Sequence, residues 1–442
     1  MYNNKIHCRV LVNVLATIII ALPTTILSAQ ETETPSRVHM EDVQRFSNAI
    51  SLIKKYYVKP VDDKELFDNA IRGMLNGLDP HSAYLDEDAF KELQTATSGE
   101  FGGLGLEVTA EDGAIKVITP LVDTPAFKSG IKTGDYIIKI GAKSVQGLSL
   151  QEAVNSMRGK AGTKIALTVL RKGNSHPLSF VLMREKIFIK SVKSSLLDGT
   201  YGYIRLTQFQ ATTVKDMEDA IAKLKNLTGN QLKGLILDLR NNPGGLLDSA
   251  IQVSDDFLIK NKTGKPDTVV YTQGRLPGSH FTATANPGDI LNDAPMVVLI
   301  NNGSASASEI VAGALKDNKR AIIIGTQSFG KGSVQTILPL DDKRGIKLTT
   351  ALYYTPSGTS IQAKGITPDI IIEEVEVGKN NSATNADLFS EASLNGHIPN
   401  ANKSESNQGS NNMYNDERKL MHEDYQLYAA LTILKSLAVA KS

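Results

Sequence analysis

The stretch that most constrains this chain spans residues 301–335, NNGSASASEIVAGALKDNKRAIIIGTQSFGKGSVQ. An apolar strand over 295–300 runs into a turn of small residues. A helix opens at Ser306, a second apolar strand follows over 321–324, and Lys331 stands between Gly330 and Gly332. Strand, turn, helix and strand in that order form one α/β unit. Three small hydroxyl residues (Ser304, Ser306, Ser308) before the helix, and one lysine between glycines, suggest a nucleophile and its base.

The surrounding region, 186–375, repeats the alternation. Strands are predicted over 202–206, 235–239, 296–300, 321–324 and 346–354, with helices over 213–224, 246–257 and 306–316. This pattern argues for a largely parallel sheet covered by helices. Residues 261–294 are polar and carry Gly and Pro, which reads as a surface loop or flap.

The chain has 442 residues, enough for two to four domains. Its 48 basic and 47 acidic residues nearly cancel, so nothing points to nucleic acid. Lys5 and Arg9 precede an apolar run over 10–22, and Leu27-Ser28-Ala29 offers a cut site. This reads as a secretory signal peptide, 1–29, with the mature chain starting near Gln30. The alternative is an uncleaved anchor that tethers the protein to the inner membrane. Either way the compartment is extracytoplasmic, the periplasm in a cell with two membranes. The single cysteine, Cys8, lies before the apolar run, so the mature chain has no disulfide, thiol nucleophile or cysteine-ligated zinc.

Residues 30–98 read as a helical region, with helices over 41–57, 63–78 and 86–95. His81 follows Asp79-Pro80 and reads as a turn or capping residue. Residues 99–185 are β-rich, with a glycine cluster at Phe101-Gly102-Gly103-Leu104-Gly105-Leu106 and a capping box, Ser149 to Glu152, that opens a short helix. Such glycines let backbone N–H groups turn inward as a nest for a terminal carboxylate. The region resembles a PDZ domain in its Gly103-Leu104-Gly105-Leu106 loop, the segment Ala126-Phe127-Lys128-Ser129-Gly130-Ile131 to Gly134-Asp135, and the helix over 150–158. The resemblance implies that Gly103, Leu104, Gly105 and Leu106 hold a substrate C-terminus, and that Ala153, Val154 and Met157 line the groove. Arg171 reads as a surface arginine or as a link from that groove to the active site. Residues 378–412 are Asn/Ser-rich and aperiodic, a disordered linker. Residues 413–442 form a C-terminal helix whose apolar face serves either a subunit interface or an intrachain contact.

A serine hydroxyl needs a base beside it. No histidine lies between Lys316 and Gln362, so the lysine is the candidate. Lowering a lysine pKa from about 10.4 to about 7 takes roughly 4–5 kcal/mol of differential interaction. The neutral neighbours Phe329, Gly330, Gly332 and Val334 permit the burial this requires. The N–H of Ala307, at the helix start, is a candidate oxyanion donor, and the glycines of Asp238-Leu239-Arg240-Asn241-Asn242-Pro243-Gly244-Gly245 supply a second, from Gly244 or Gly245. Each feature also has a plain structural reading. Ser306 and Glu309 fit a capping box, 238–245 a tight turn, and 330–332 an exposed loop. Residues 325–331 match the phosphate-loop pattern G-x-x-x-x-G-K, but Gly332 replaces the magnesium-binding Ser or Thr and a strand follows.

Taken together, Asn302-Gly303-Ser304-Ala305-Ser306-Ala307-Ser308-Glu309-Ile310, Phe329-Gly330-Lys331-Gly332-Ser333-Val334-Gln335 and 238–245 resemble the carboxyl-terminal processing peptidases, or tail-specific proteases. Leu78-Asp79-Pro80-His81-Ser82 and Gly99-Glu100-Phe101-Gly102-Gly103 fit as well. The resemblance implies an α+β multidomain protein: a crotonase-like ββα protease core (186–377) with an inserted PDZ domain and an N-terminal helical region. It implies Ser306 as nucleophile, Lys331 as base and Gln335 as the residue that orients the lysine, with no metal and no cofactor. Glu309 is a further active-site residue in some members. The implied partners are polypeptides with free C-termini; an adaptor protein and self-association through the C-terminal helix are further partners in this reading. The rival reading is a silent PDZ adaptor that binds C-termini without cutting.

Overall fold

The computed structural model describes residues 38–441 apart from 112, 122, 260–266 and 376–416. The expected leader (1–29) and linker (378–412) lie outside the described residues. The described residues fall into two compact units that divide between Phe67 and Asp68. In the first, the helix Met40–Tyr56 has acidic residues in its first turn and basic ones in its last, the arrangement its dipole favours, and it buries none of its side chains.

The second unit is built on two sheets and an inserted β-module. Its six-stranded sheet runs in the order Val192–Leu197, Tyr201–Leu206, Gly234–Asp238, Met296–Ile300, Ile322–Gly325, Ile370–Ile371. All neighbours are parallel except the first pair. Gly234–Asp238 and Met296–Ile300 are buried at every position, as strands covered on both faces must be. One face packs against the helices Thr213–Leu227, Leu247–Asp255 and Ala307–Asp317 through Met217, Ile221, Val253, Ile310 and Val311. The other face is covered by the C-terminal helix Tyr425–Lys441, whose Leu427, Ala430, Leu431 and Leu434 meet Ile236, Val297, Leu299 and Ile324. That helix therefore makes an intrachain contact. Among the described residues no helix is long and apolar enough to cross a membrane.

Two expectations change here. The strand predicted over 346–354 does not join the parallel sheet. As Gly345–Tyr354 it belongs to a separate, antiparallel five-stranded sheet with Ala83–Leu85, Thr268–Gly274, Phe281–Thr284 and Ser333–Pro339. The tight connection from Ser333–Pro339 makes a hairpin, and hairpin strands are antiparallel by construction. The region expected to be a loop or flap holds the pair Thr268–Gly274 and Phe281–Thr284, anchored by Thr272 opposite Tyr353.

The inserted module is an antiparallel sheet in the order Leu106–Glu111, Ala114–Pro120, Tyr136–Ile140, Lys164–Leu170, Leu178–Met183, with Lys143–Ser144 at its side. Its own core includes Ile115, Val117, Ile137, Leu167 and Val169. The chain enters through Glu100–Gly103 and leaves through Glu185–Phe188, and these two segments pair antiparallel as a two-stranded stem.

Candidate active site

The ends of two adjacent parallel strands are stitched together beneath Ser306. Ser304 Oγ donates to the Leu239 carbonyl (2.8 Å), the Asn241 N–H donates to Asn301 Oδ1 (2.8 Å), and Ser308 Oγ donates to the Asn242 carbonyl (2.9 Å). The Ala305 N–H donates to that same carbonyl (3.0 Å). Gly244 lies so close that a Cβ there would stand 2.8 Å from Ser306 Cβ. Within this frame Ser306 takes φ 56°, a left-handed conformation that a serine holds only when its surroundings impose it. The helix Ala307–Asp317 then begins.

Glu309, three residues into the helix, is fully buried and joins the elements of the site. Its Oε2 accepts the N–H of Ser306 (2.7 Å) and of Lys331 (2.9 Å). Its Oε1 accepts Ser328 Oγ (2.6 Å) and the N–H of Gly330 (2.6 Å). One carboxylate thus fastens the Ser306 turn to the lysine loop, a role well beyond the capping that its spacing alone accounts for. Tyr353, on the long antiparallel strand, donates its hydroxyl to the Lys331 carbonyl. Burial raises the Tyr353 pKa, and a hydrogen bond with the Ser306 side chain works against that rise.

Lys331 is half-buried, and its Nζ has no hydrogen-bond or ion-pair partner among the described residues. Burial lowers its pKa first, the Lys347 charge lowers it further, and Glu309 and Asp79 pull it back up. His81 belongs to the same neighbourhood: burial and then the Lys331 charge depress its pKa, with Lys347 adding to this and Asp79 opposing it. The turn 79–82 therefore contributes to the electrostatics of the lysine. Gln335 directs its amide Nε2 to Ser333 Oγ (2.9 Å) and Thr349 Oγ1 (3.4 Å).

Of the candidate oxyanion donors, the Gly244 N–H is engaged by Asn242 Oδ1 (2.9 Å). The N–H groups of Ala307 and Gly245 have no hydrogen-bond partner among the described residues.

In the inserted module the carbonyls of the glycine loop are tied down and two of its N–H groups are not. Leu104 O accepts from Ala126, and Gly105 O from Leu121 (both 2.9 Å), while the N–H groups of Leu104 and Gly105 have no partner among the described residues. Gly103 ends the stem strand Glu100–Gly103, and Leu106 opens the next. Ala153 and Met157 are buried in the module's core, so their side chains face inward. Val154 is only partly covered, as are Leu106 and Val108. Arg171 is not a solvated arginine: it grips the buried Asp135 with two bonds of 2.7 Å.

Residues 200–372 match peptidase family S41, 102–182 match the PDZ domain, and 21–89 match the activating protease CtpB N-terminal domain. A carboxy-terminal-processing protease of Bartonella bacilliformis is 47% identical over 398 residues, covering 89% of this chain and 88% of that protein. The chain belongs to peptidase family S41. A carboxy-terminal processing protease of Bacillus subtilis is 38% identical over 336 residues, covering 76% of this chain and 70% of its own length. Among solved structures, a photosystem II D1 C-terminal processing protease aligns with TM-score 0.43 at 30% identity, over 74% of this chain and 86% of that one. As an S41 protease with a PDZ domain, the chain is an α+β multidomain serine peptidase. Sequence reasoning missed Tyr353, Lys347 and the 79–82 turn as neighbours of the lysine. They reach it only through strand pairing and long-range docking, which leave no local signal.

Proposed function

We propose that the chain is an exported serine endopeptidase that captures polypeptide C-termini in its PDZ domain and cleaves near them with a Ser306/Lys331 dyad. The observation that carries this reading is the Glu309 carboxylate, which binds the backbone of both Ser306 and Lys331 and so holds nucleophile and base in one rigid frame. Burial and Lys347 favour the neutral amine that a general base must be. Ser306 Oγ attacks the scissile carbonyl while Lys331 Nζ takes its proton. The tetrahedral oxyanion is stabilised by the N–H groups of Ala307 and Gly245, with Gly244 as the thin wall that lets substrate approach. Lys331 returns the proton to the leaving amine, then serves as base for the water that frees the acyl group. Gln335 orients the lysine. The unpartnered N–H groups of Leu104 and Gly105 receive the terminal carboxylate, and Leu106, Val108 and Val154 contact the side chains before it. Export is proposed from residues 1–29.

The test pairs two measurements on Ser306→Ala. Turnover of a carboxyl-terminal peptide should vanish while binding of that peptide persists; cleavage near the wild-type rate would refute the assignment. Activity of the wild-type enzyme should fall as pH drops through the depressed lysine pKa, because the ammonium cannot accept the serine proton.

A further inference from the structure

We propose that Asp79 is a positioning residue for the dyad: through the Thr349 hydroxyl, its carboxylate decides which face of the Gln335 amide is offered to Lys331. The inference rests on the reading of Lys331 as general base and deepens it.

The turn that carries Asp79 is rigidly wound. Asp79 Oδ1 accepts the N–H of His81 (2.8 Å) and of Ser82 (3.0 Å), and Oδ2 accepts Ser82 Oγ (2.6 Å). It is docked on the hairpin by two bonds to one residue 270 positions away in sequence: Thr349 Oγ1 donates to Asp79 Oδ1 (3.1 Å), and the Thr349 N–H donates to Ser82 Oγ (3.1 Å). Burial works against the Asp79 charge, yet the hydrogen bonds from Ser82, His81 and Thr349 hold its pKa below the ordinary range. It is therefore an ionised acceptor at neutral pH.

A hydroxyl has one hydrogen. Once Thr349 commits it to Asp79, only lone pairs face Gln335, the residue opposite it in the hairpin register. Those lone pairs select the NH₂ end of the amide, which lies 3.4 Å away and also reaches Ser333 Oγ. With Nε2 so engaged, the amide oxygen is the end left to accept an N–H from the lysine amine. Without Asp79, the Thr349 hydroxyl is free to donate to the amide instead. The amide can then turn over and offer a donor to a donor. Asp79 also acts on the lysine by charge, in company with Glu309 and against Lys347; His81 stands in the same field.

These two routes separate experimentally. Asp79→Ala removes the acceptor and the charge together: it should lower kcat by about tenfold or more with little change in KM, and should move the acid limb of the kcat/KM profile to lower pH, since a neighbour favouring the ammonium is gone. Thr349→Val should lower kcat similarly with the acid limb in place, and Thr349→Ser should restore it. Wild-type kcat and an unmoved acid limb in Asp79→Ala would overturn the proposal. So would a Thr349→Val loss that Thr349→Ser fails to recover, because that pattern indicates packing alone. If Asp79→Ala does not fold, the two Thr349 variants decide. Lys331→Ala separates this inference from the one beneath it. Activity retained there sinks the base assignment itself, whereas an inactive Lys331→Ala beside fully active Asp79 and Thr349 variants sinks only the positioning role.

Discussion

Glu309→Gln changes one atom at the most connected point of the site. The carboxylate accepts four hydrogen bonds, two on each oxygen. The amide keeps the pair on its oxygen and turns an NH₂ toward the other two donors. Hydrogen bonds to a charged group contribute about 1.5–3 kcal/mol each, so losing two costs about 3–6 kcal/mol. That loss falls on the attachment of the 328–331 loop to the Ser306 turn rather than on the whole fold. Gly330 and Lys331 donate their own N–H groups to this carboxylate, so their amide hydrogen exchange reads the brace directly. One or both should exchange about 10²–10⁴-fold faster. Peptidase kcat should fall if Ser306 and Lys331 form the proposed dyad, since the Lys331 backbone is no longer tied to the Ser306 turn. The acid limb of the residual activity should lie at lower pH, because Glu309 favours the ammonium and its charge has been removed. Unchanged protection at both amides in an inactive variant would refute the bracing role. Full activity despite lost protection would break the link between the brace and catalysis.

Three other perturbations probe separate parts of the molecule. Arg240 is held by Asp238 and, from the C-terminal segment, by Asp424 through bonds of 2.8 and 2.7 Å. Asp424→Asn should therefore raise exchange across the helix Tyr425–Lys441 by about 10–100-fold; an unaffected helix would mean that its apolar face alone secures it. Burial alone would raise the Asp424 pKa, but the hydrogen bonds and charge of Arg240 hold it down, so in the wild type this contribution is present at neutral pH and lost as pH falls through the depressed value. Asp256 is the opposite case: burial, then Glu218 and Asp255, push its pKa up to about 7, and its Oδ2 has no partner among the described residues. The folded state retains that proton where the unfolded chain has lost it, so stability falls as pH rises from about 4 to 7. Asp256→Asn should melt higher than the wild type at pH 8 and near it at pH 4; equal melting at both would show that the carboxyl finds a partner. At Gly105 (φ +73°) a Cβ would stand 2.2 Å from Thr124 Cβ, so Gly105→Ala should displace the loop 103–106. Anisotropy should show lost binding of a free-carboxylate peptide, with cleavage of a short unstructured peptide retained; intact binding would move the capture site elsewhere.

The α/β core was legible in the amino-acid order because burial leaves a local trace. Met296–Ile300 is uniformly apolar since both its faces are covered, and the strand over 296–300 is recovered to the residue. The helix beginning after Ser306 and the glycine-flanked lysine were likewise marked by small residues at points where backbone must turn or approach closely. The same logic failed where periodicity has two solutions. Residues 346–354 read as one more strand, and nothing local says which sheet accepts it. Ala153 and Met157 have helical spacing, and only the fold shows that both pack into the module's core. The Gly244 N–H donates to Asn242 Oδ1, two residues before it, a local contact that the glycine pattern does not announce.

The order of residues by itself determined the alternating core, the serine at a helix start, the lysine that follows, and the glycine loop of the inserted module. Each is set by contacts within a few positions: a turn, a cap, or a run of apolar side chains. Only the tertiary structure decided what surrounds the lysine. Lys347 and Tyr353 reach it by strand pairing, and Asp79 and His81 by docking of a turn from the far end of the chain. A proton affinity depends on distances in space, and residues that are neighbours only in space are not recorded as neighbours in the chain.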